Sequence, residues 1–383
     1  MENYEEEFER EFKNKINSLT QRISQQLDIK LNEFEQNISK QIDEYLELYL
    51  KKKMNEKCQN ILYHTNSILD YILICLSNIK PLVSFILGNK SKELQKIINQ
   101  KKPNNFFNLF VELFTHLWFK KEDIYDATKI HKLLYNLEKD IYNSTNPGKI
   151  ISFLLSKLHD ELNFNNDINN ENNINYIDRV DKNKVLEAFK ISSEKNKTDI
   201  SKIFFINYRI RKRCSVCHST NIFFFEKRPI VDLYIQENKN GIGEDNLSLS
   251  ENYNFLLNDY IDREDFCPGC RYVKKMIINN QIESYDNNIL IININRENDI
   301  NHKKNISIFK LLKFENNLKI FTYRLFSVLS KNYNEKEQSY NLYCKNFNNN
   351  NWYIYNRNGI NLVENKNDIL DGNKALLLVY KRI

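Results

Sequence analysis

The strongest local pattern in the chain is a pair of C-x-x-C sequences, Cys214-Ser215-Val216-Cys217 and Cys267-Pro268-Gly269-Cys270. One tight turn of this kind presents two sulfurs to one ion, and Zn²⁺ binds four such thiolates tetrahedrally. A full set of four ligands leaves no open position for water, which predicts a structural and not a catalytic ion. Four buried free cysteines and a redox C-x-x-C are the alternatives. We predict one structural Zn²⁺ bound by Cys214, Cys217, Cys267 and Cys270.

The pattern of apolar residues changes from helical to strand-like before the first of these pairs. Helical apolar spacing runs from residue 58 to about 162, with breaks at Pro81, Gly88, Pro103 and Pro147, and an Asn-rich segment at 163–175 follows. After Ile203, β-branched and aromatic runs predict strands at 222–225, 230–234, 289–294, 319–330, 340–345, 352–355 and 375–380. Helices followed by strands predict an α+β fold and not a doubly wound sheet.

The first 55 residues have the pattern of one long amphipathic helix, with apolar or aromatic residues every three or four positions from Phe8 to Tyr49. Their mean spacing is about 3.7 residues, which favours a straight or slightly right-handed coiled coil. Such a stripe is too long to be buried on one compact domain. We therefore expect this helix to pair with itself or with a protein partner.

Composition narrows the classes of function. The net charge is +6, from 56 basic and 50 acidic residues, and the short basic run Arg211-Lys212-Arg213 is more typical of a solvated surface than of a nucleic-acid stripe. The sequence contains no stretch of eighteen apolar residues, so no membrane helix is predicted. The acidic N-terminus lacks the apolar run of a signal peptide. Seven cysteines without a secretion signal indicate a reducing compartment, so we expect the cytoplasm, the nucleus or a large assembly continuous with them.

The segment after the second cysteine pair resembles a motif of the ubiquitin-specific proteases (peptidase C19, ubiquitin carboxyl-terminal hydrolases). In that family two C-x-x-C pairs tip strand-rich fingers, and a strand reading about "P-x-I-L-I-I-x-L-x-R-F" follows. Here the matching sequence is Asp286-Asn287-Asn288-Ile289-Leu290-Ile291-Ile292-Asn293-Ile294-Asn295-Arg296, which lacks the proline and keeps the arginine.

Further landmarks of the family occur in the same order. Its "Y-x-L-x-A-V", "G-H-Y" and "W-x-x-F-D-D" resemble Tyr323 to Val328, Gln338-Ser339-Tyr340 and Trp352 to Asn356, and the closing strand resembles Ala375 to Tyr380. Upstream, "N-T-C-Y-M-N-S-x-L-Q-x-L" resembles Ile61 to Asp70, and "E-F-L-x-x-L-L-x-x-L-H" resembles Ser152 to His159.

The resemblance implies a papain-like fold with a helical thumb, zinc-bearing β fingers and a β palm, preceded by the long N-terminal helix. The implied domains are 1–55 for that helix and 56–383 for the protease-like body. Within the body we expect the thumb at about 56–165, the Asn-rich loop at 163–175, the fingers at about 203–285 and the palm at about 286–383.

The positions that the family uses for catalysis carry the wrong residue types here. The nucleophile position falls on Tyr63, the base position on Ser339 and the oxyanion position on Cys58, while Asn356 alone suits the orienting position. Cysteine protease chemistry needs a thiolate and an adjacent base, which a phenol and a hydroxyl do not supply. The resemblance therefore implies loss of peptidase activity, with no cofactor other than structural Zn²⁺.

The leading hypothesis is an inactive member that acts as a scaffold or binding module, with protein partners at the N-terminal helix and residual ubiquitin binding as an option. One alternative is an active deubiquitinase with a displaced nucleophile, Cys58, near His64. A second is a nucleic-acid-associated zinc protein, and a third is a coiled-coil protein with a decayed appendage. Cys75 lies in the apolar stretch from Ile72 to Leu76 and is expected in the core, and Cys344 lies on a predicted strand.

Overall fold

The chain divides into two compact units, Met1–Met54 and Asn55–Ile383. In the N-terminal unit the computed structural model describes positions 26, 27, 30, 34, 37 and 41. In the second unit it describes 68–101, 105–120, 124–163, 197–217, 221–234, 246–248, 259–267, 269–284, 287–296, 305–316, 319–332, 339–372 and 374–383.

The six described positions of the N-terminal unit are all helical and exposed. Leu27 and Phe34, two members of the predicted apolar stripe, each expose 62% of their surface. The other members of the stripe lie outside the described residues. A coiled coil or a bound partner at this helix stays a prediction.

Helices make up the first half of the second unit, as the apolar spacing predicts. Pro81 lies in the first turn of its helix, Gly88 follows the end of the same helix, and Pro147 begins a later one, in agreement with the preference of proline for the first helical positions. The helices are α1 (Ile68–Ser77), α2 (Lys80–Leu87), α3 (Asn89–Lys101), α4 (Phe106–Phe119), α5 (Thr128–Leu137), α6 (Lys139–Tyr142), α7 (Pro147–Leu162) and α8 (Asp199–Phe204).

Strands follow without a further α-helix in the described part of the chain. They are β1 (Ile206–Cys214), β2 (Asn221–Arg228), β3 (Val231–Tyr234), β4 (Asn246–Ser248), β5 (Asp259–Cys267), β6 (Tyr272–Ser284), β7 (Ile289–Asn295), β8 (Asn305–Ser307), β9 (Leu311–Asn316), β10 (Lys319–Asn332), β11 (Ser339–Lys345), β12 (Trp352–Asn356), β13 (Gly359–Leu362) and β14 (Ala375–Arg382). A 3₁₀ helix, Asp368–Leu370, precedes β14.

These strands form three sheets. The largest has the order β13-β12-β11-β10-β14-β7-β3, with β9 paired to β10 as its eighth strand. A four-stranded antiparallel sheet has the order β2-β1-β6-β5, and β4 pairs with β8. The segregation of helices and strands confirms the α+β fold.

The helices cover one part of the large sheet. All ten residues of α1 are buried, and α1 contacts β11 through Tyr71 and Tyr340, whose rings lie 5.8 Å apart. A second apolar cluster includes Leu290, Val328 and Tyr380 of the large sheet together with Ile206 and Tyr208 at the base of β1. The two sheets therefore share a core at the base of the four-stranded sheet.

Two polar residues of β7 and its following turn connect the sheet to its surroundings. The amide of Asn293 binds Asp232 (2.6 Å) and accepts from the backbone N–H of Gly148 at the start of α7 (3.2 Å). A Cβ at Gly148 would collide with the Asn293 side chain, so only glycine permits this approach. Arg296, 6% exposed, donates to the carbonyls of Ala375 and Gly372, which holds β7 against the start of β14.

Among the described residues, no single helix is both long and apolar enough to cross a membrane; α1 and α2 satisfy that criterion only as a pair, which is bent by 79°.

Candidate metal centre and catalytic positions

The four-stranded sheet brings the two C-x-x-C sequences together. Cys214 is the last residue of β1 and Cys267 the last residue of β5, and both strands run antiparallel to β6, which lies between them. The turns that follow β1 and β5 therefore lie at the same end of the sheet. Each turn supplies one further sulfur, from Cys217 and Cys270.

The sulfur geometry fits a tetrahedral metal ion. The four Sγ atoms all lie within 4.8 Å of one another. Cys214 and Cys270 are 3.8 Å apart, and Cys217 and Cys267 are 3.5 Å apart. A Zn–S bond of about 2.3 Å gives a tetrahedron with edges of ~3.8 Å. The four cysteines that the sequence predicts as ligands therefore form a cluster of the size that Zn²⁺ needs.

Backbone groups of both turns point at the first sulfur of each pair. The N–H of Val216 donates to the Sγ of Cys214 (3.4 Å), and the N–H of Cys270 donates to the Sγ of Cys267 (3.3 Å). Arg271 closes its turn in the left-handed region, at φ 59°, with its N–H bonded to the Cys267 carbonyl at 2.7 Å. These N–H donors stabilise negative charge on the sulfurs, as thiolate ligands require.

The electrostatics of the cluster call for a cation. The hydrogen bond to Cys217, together with burial and the other two sulfurs, raises the pKa of the Cys270 thiol to about 12. Four sulfurs at these distances cannot all lose their protons unless a positive charge lies between them. A coordinated metal ion supplies that charge and deprotonates the thiols.

Phe266 and Tyr272 flank the second cysteine pair but give the metal site little cover, since they expose 56% and 71% of their surfaces. Both belong to the end of the β5–β6 hairpin. Cys214 and Cys267 are nonetheless fully buried, whereas Cys217 and Cys270 are partly exposed.

The two predicted catalytic positions that the structure describes lie on neighbouring strands. Ser339 begins β11 and Asn356 ends β12, and these strands are antiparallel. Their last ladder pair is Leu342 with Tyr355, so one further step brings Asn341 opposite Asn356. Ser339 lies two residues from Asn341 and hence on the same face. Ser339 and Asn356, the predicted base and orienting positions, are therefore diagonal neighbours across the two strands. Tyr63 and Cys58 lie outside the described residues.

Ser339 makes no evident use of its hydroxyl. The residue is 5% exposed, and its Oγ is buried without a hydrogen-bond partner among the described residues. Asn356 accepts from the backbone N–H of Asn358 at 2.9 Å, a local turn contact. A serine here cannot take up a proton as an imidazole does.

The described histidines are engaged in the helical part of the chain. His131 binds the carboxylate of Asp70 (2.8 Å) and the hydroxyl of Tyr142 (3.2 Å). His159 binds the hydroxyl of Thr198 at 2.7 Å, and burial lowers its pKa. His116 packs its ring against Tyr125.

A buried cluster of two thiols and one hydroxyl connects α1 to the sheet. The Ser327 hydroxyl lies 3.5 Å from the Sγ of Cys75 and 3.0 Å from that of Cys344, and donates to the Tyr343 carbonyl. The hydrogen bond with Cys344 lowers the pKa of the Cys75 thiol. Both cysteines are 1% exposed, which confirms the prediction that Cys75 belongs to the core and shows that Cys344 does too. Sequence reasoning missed Ser327 as their common partner, since its position follows from strand pairing alone.

Comparisons with known proteins agree with this architecture. The family model described as "Ubiquitin carboxyl-terminal hydrolase" matches residues 62–380, more than four fifths of the chain. No curated protein sequence shows significant similarity to it.

Two solved structures show the fold. A chain of the yeast SAGA DUBm with a mutant Sgf73 is similar at 15% identity with a TM-score of 0.57, over 86% of this chain and 70% of that chain. The Saccharomyces cerevisiae PAN2 pseudoubiquitin-hydrolase is similar at 14% identity with a TM-score of 0.56, over 86% and 88%. The chain thus has a ubiquitin-specific protease fold with a cysteine cluster that could hold zinc, and it belongs to the ubiquitin carboxyl-terminal hydrolase family.

Proposed function

We propose that this chain is a catalytically inactive member of the family, in which Tyr63, Ser339, Asn356 and Cys58 occupy the former catalytic positions, and that it acts as a scaffold or binding module. The observation that supports the proposal most strongly is the environment of Ser339. It stands at the base position on β11, beside the strand of Asn356, with a buried hydroxyl that has no partner in the described structure. Similarity to a pseudoubiquitin-hydrolase structure is compatible with such a loss.

The described free thiols outside the metal cluster do not offer a substitute nucleophile. A nucleophilic cysteine needs an accessible thiolate and a base within reach. Cys75 and Cys344 are 1% exposed and hydrogen-bonded to Ser327, while His131 is bound to Asp70 and His159 to Thr198. Their free state also favours a reducing compartment, which supports the cytoplasm or nucleus as the location.

We assign Zn²⁺ to the Cys214, Cys217, Cys267 and Cys270 cluster as a structural ion. Its four thiolates fill the coordination sphere, so the ion would fix the two turns at the end of the four-stranded sheet and would not activate water. The body of the chain then remains folded and available for binding, although the catalytic residues are lost. This separation of folding from chemistry is what a binding module needs.

Protein partners are the proposed ligands. One relative of known structure, the SAGA DUB module, is bound to monoubiquitin, so ubiquitin is one candidate, while the predicted apolar stripe of residues 1–55 offers a second surface. A deletion tests the second surface without the first. Removing residues 1–55 should abolish assembly with a helix-bound partner and leave a folded body with its metal.

Hydrolysis of a ubiquitin C-terminal fluorogenic amide tests the loss of catalysis. We expect no turnover from the zinc-loaded full chain under conditions in which an active family member is saturated. The Cys58→Ser variant is the control for a displaced nucleophile. Turnover by the natural chain that disappears in Cys58→Ser would overturn the proposal in favour of an active enzyme.

A further inference from the structure

The large sheet contains a pocket of about 350 Å³ at the end where β10 and β11 separate. The β10–β11 ladder ends at the pair Ser327 and Cys344, and Lys345 is the last residue of β11. On β10 the register towards β14 shifts between Leu325 and Ser327, which is a β-bulge. Bulges re-aim side chains and are frequent beside functional sites. We call this cavity the β10–β12 pocket.

Three pieces of backbone build the walls of the pocket. The β9–β10 pair contributes one side, where the N–H of Leu325 binds the Lys310 carbonyl at 2.9 Å. The β11–β12 pair contributes Lys345 and Trp352, which are directly opposite each other. The 3₁₀ helix closes the third side. The complete lining is Lys310, Leu311, Arg324, Leu325, Lys345, Trp352, Lys366, Ile369 and Leu370.

The charge of this lining is one-sided. Four of the nine residues are cationic and none is acidic. The ion pairs between described residues do not include any of the four. The nearest acids in the 3₁₀ segment are otherwise engaged, Asp368 with the Asn365 amide at 3.2 Å and Asp371 with Lys374 at 3.3 Å. Burial lowers the pKa of Lys345, and so does repulsion from the positive charges of Arg324 and Lys366.

The remaining five lining residues are apolar, and they form a surface against which a flat group can pack. Trp352 is half-buried and Leu325 and Ile369 are buried, so packing within the fold holds this part of the wall in place. A concave, mainly apolar site with a few convergent charges is the usual form of a small-molecule site, and such sites begin at about 300 Å³.

The charge density selects among anionic ligands. Acidic peptide side chains carry one charge each and are spread along the backbone, whereas a diphosphate places several charges within a few ångströms. Arginine and lysine together suit phosphate, with Arg324 able to bind two oxygens through its guanidinium fork. We propose that the β10–β12 pocket binds a small phosphorylated ring compound of the nucleoside diphosphate class, with the phosphates on Arg324, Lys345 and Lys366 and the ring against Trp352. The lining includes none of the positions proposed above as former catalytic positions.

Calorimetry on the full zinc-loaded chain tests the site with ADP, inorganic pyrophosphate, adenosine and a hexaglutamate peptide. We expect ADP to bind at least about tenfold more tightly than pyrophosphate or adenosine, because only ADP engages both the cations and Trp352. Affinity should fall as salt rises. Absence of ADP binding up to ~5 mM, a range in which even weak specific sites are measurable, overturns the proposal, as does tighter binding of the peptide.

Matched variants locate the binding. Arg324→Ala with Lys345→Ala should weaken ADP by about tenfold or more, since each cation contributes a charge-assisted hydrogen bond. The control, Lys96→Ala with Lys132→Ala, removes the same charge from exposed positions on α3 and α5 and should leave ADP binding unchanged. Equal affinity in the two double variants would place the ligand elsewhere and refute the assignment.

A fluorescence readout remains usable if the double variant does not fold. The chain has two tryptophans, and Trp118 is fully buried with its indole N–H on the Ser77 carbonyl at 2.7 Å. A change of emission on adding ADP should therefore come from Trp352 and be absent in Trp352→Phe. The single variant Lys366→Ala, at an exposed position, should raise the ADP concentration needed. A change that persists in Trp352→Phe contradicts the proposal.

Discussion

The cysteine cluster and the β11–β12 strand pair differ in how completely their side chains are used. At the cluster, four sulfurs within 4.8 Å are joined by two N–H···S bonds, and every group has a role that a metal ion completes. At the β11–β12 pair, Ser339 is buried with a hydroxyl that bonds to nothing in the described structure. The difference supports the proposal that the metal site is kept because folding needs it, whereas the chemistry at the Ser339 position has been lost.

The largest expected effect comes from breaking the metal cluster. Cys267→Ser removes a buried ligand, and because metal binding in such sites is part of the folding free energy, we expect loss of the bound zinc and a lower melting temperature. Metal content per chain and thermal unfolding measure this. The matched control is Cys344→Ser, a buried free cysteine, which should keep the zinc. Unchanged metal and melting in Cys267→Ser would refute a structural role.

A pair of serine variants sharpens the contrast at the sheet. Ser327→Ala removes the hydroxyl that binds the Tyr343 carbonyl and two thiols, and should cost about 1–3 kcal/mol in the free energy of unfolding. Ser339→Ala removes a buried hydroxyl without a partner in the described residues and should be neutral or stabilising by about 1 kcal/mol. Denaturant unfolding compares the two. A cost at Ser339 equal to that at Ser327 would reveal a role for its hydroxyl.

The smallest effect concerns pH and the helical part of the chain. Burial lowers the folded-state pKa of His159 below its usual value, so the unfolded chain binds this proton more readily. Stability from the neutral imidazole is present above about pH 6.5 and is lost as the pH falls through the lowered folded pKa. His159→Gln should therefore show a smaller decrease in melting temperature between about pH 7.5 and 5.5. An identical decrease in both proteins would exclude His159 as the source.

Much of the fold follows from local sequence. Strands β7 and β14 are continuous apolar runs, and β2, β10, β11 and β12 are rich in aromatic residues, so their positions were predicted. The hairpin β5–β6 was not, because Asp259–Cys267 is mainly polar and charged and lacks the alternation of apolar and polar residues that predicts a strand.

The same contrast between local signals and contacts made only in the folded chain applies to the sites. The cysteine cluster was predictable because C-x-x-C spacing is a local signal that survives without knowledge of the fold. The β10–β12 pocket was not, since its cations Lys310, Arg324, Lys345 and Lys366 are scattered through the sequence and meet only through strand pairing and a bulge. Ser339 was found through the family motif and not through its own chemistry.

The most direct test of retained metal with lost catalysis is native mass spectrometry of the full chain after incubation with a ubiquitin-vinyl-sulfone probe. We expect one zinc ion per chain and no covalent ubiquitin adduct, while an active family member is fully labelled in parallel. A covalent adduct on any cysteine of this chain would contradict it.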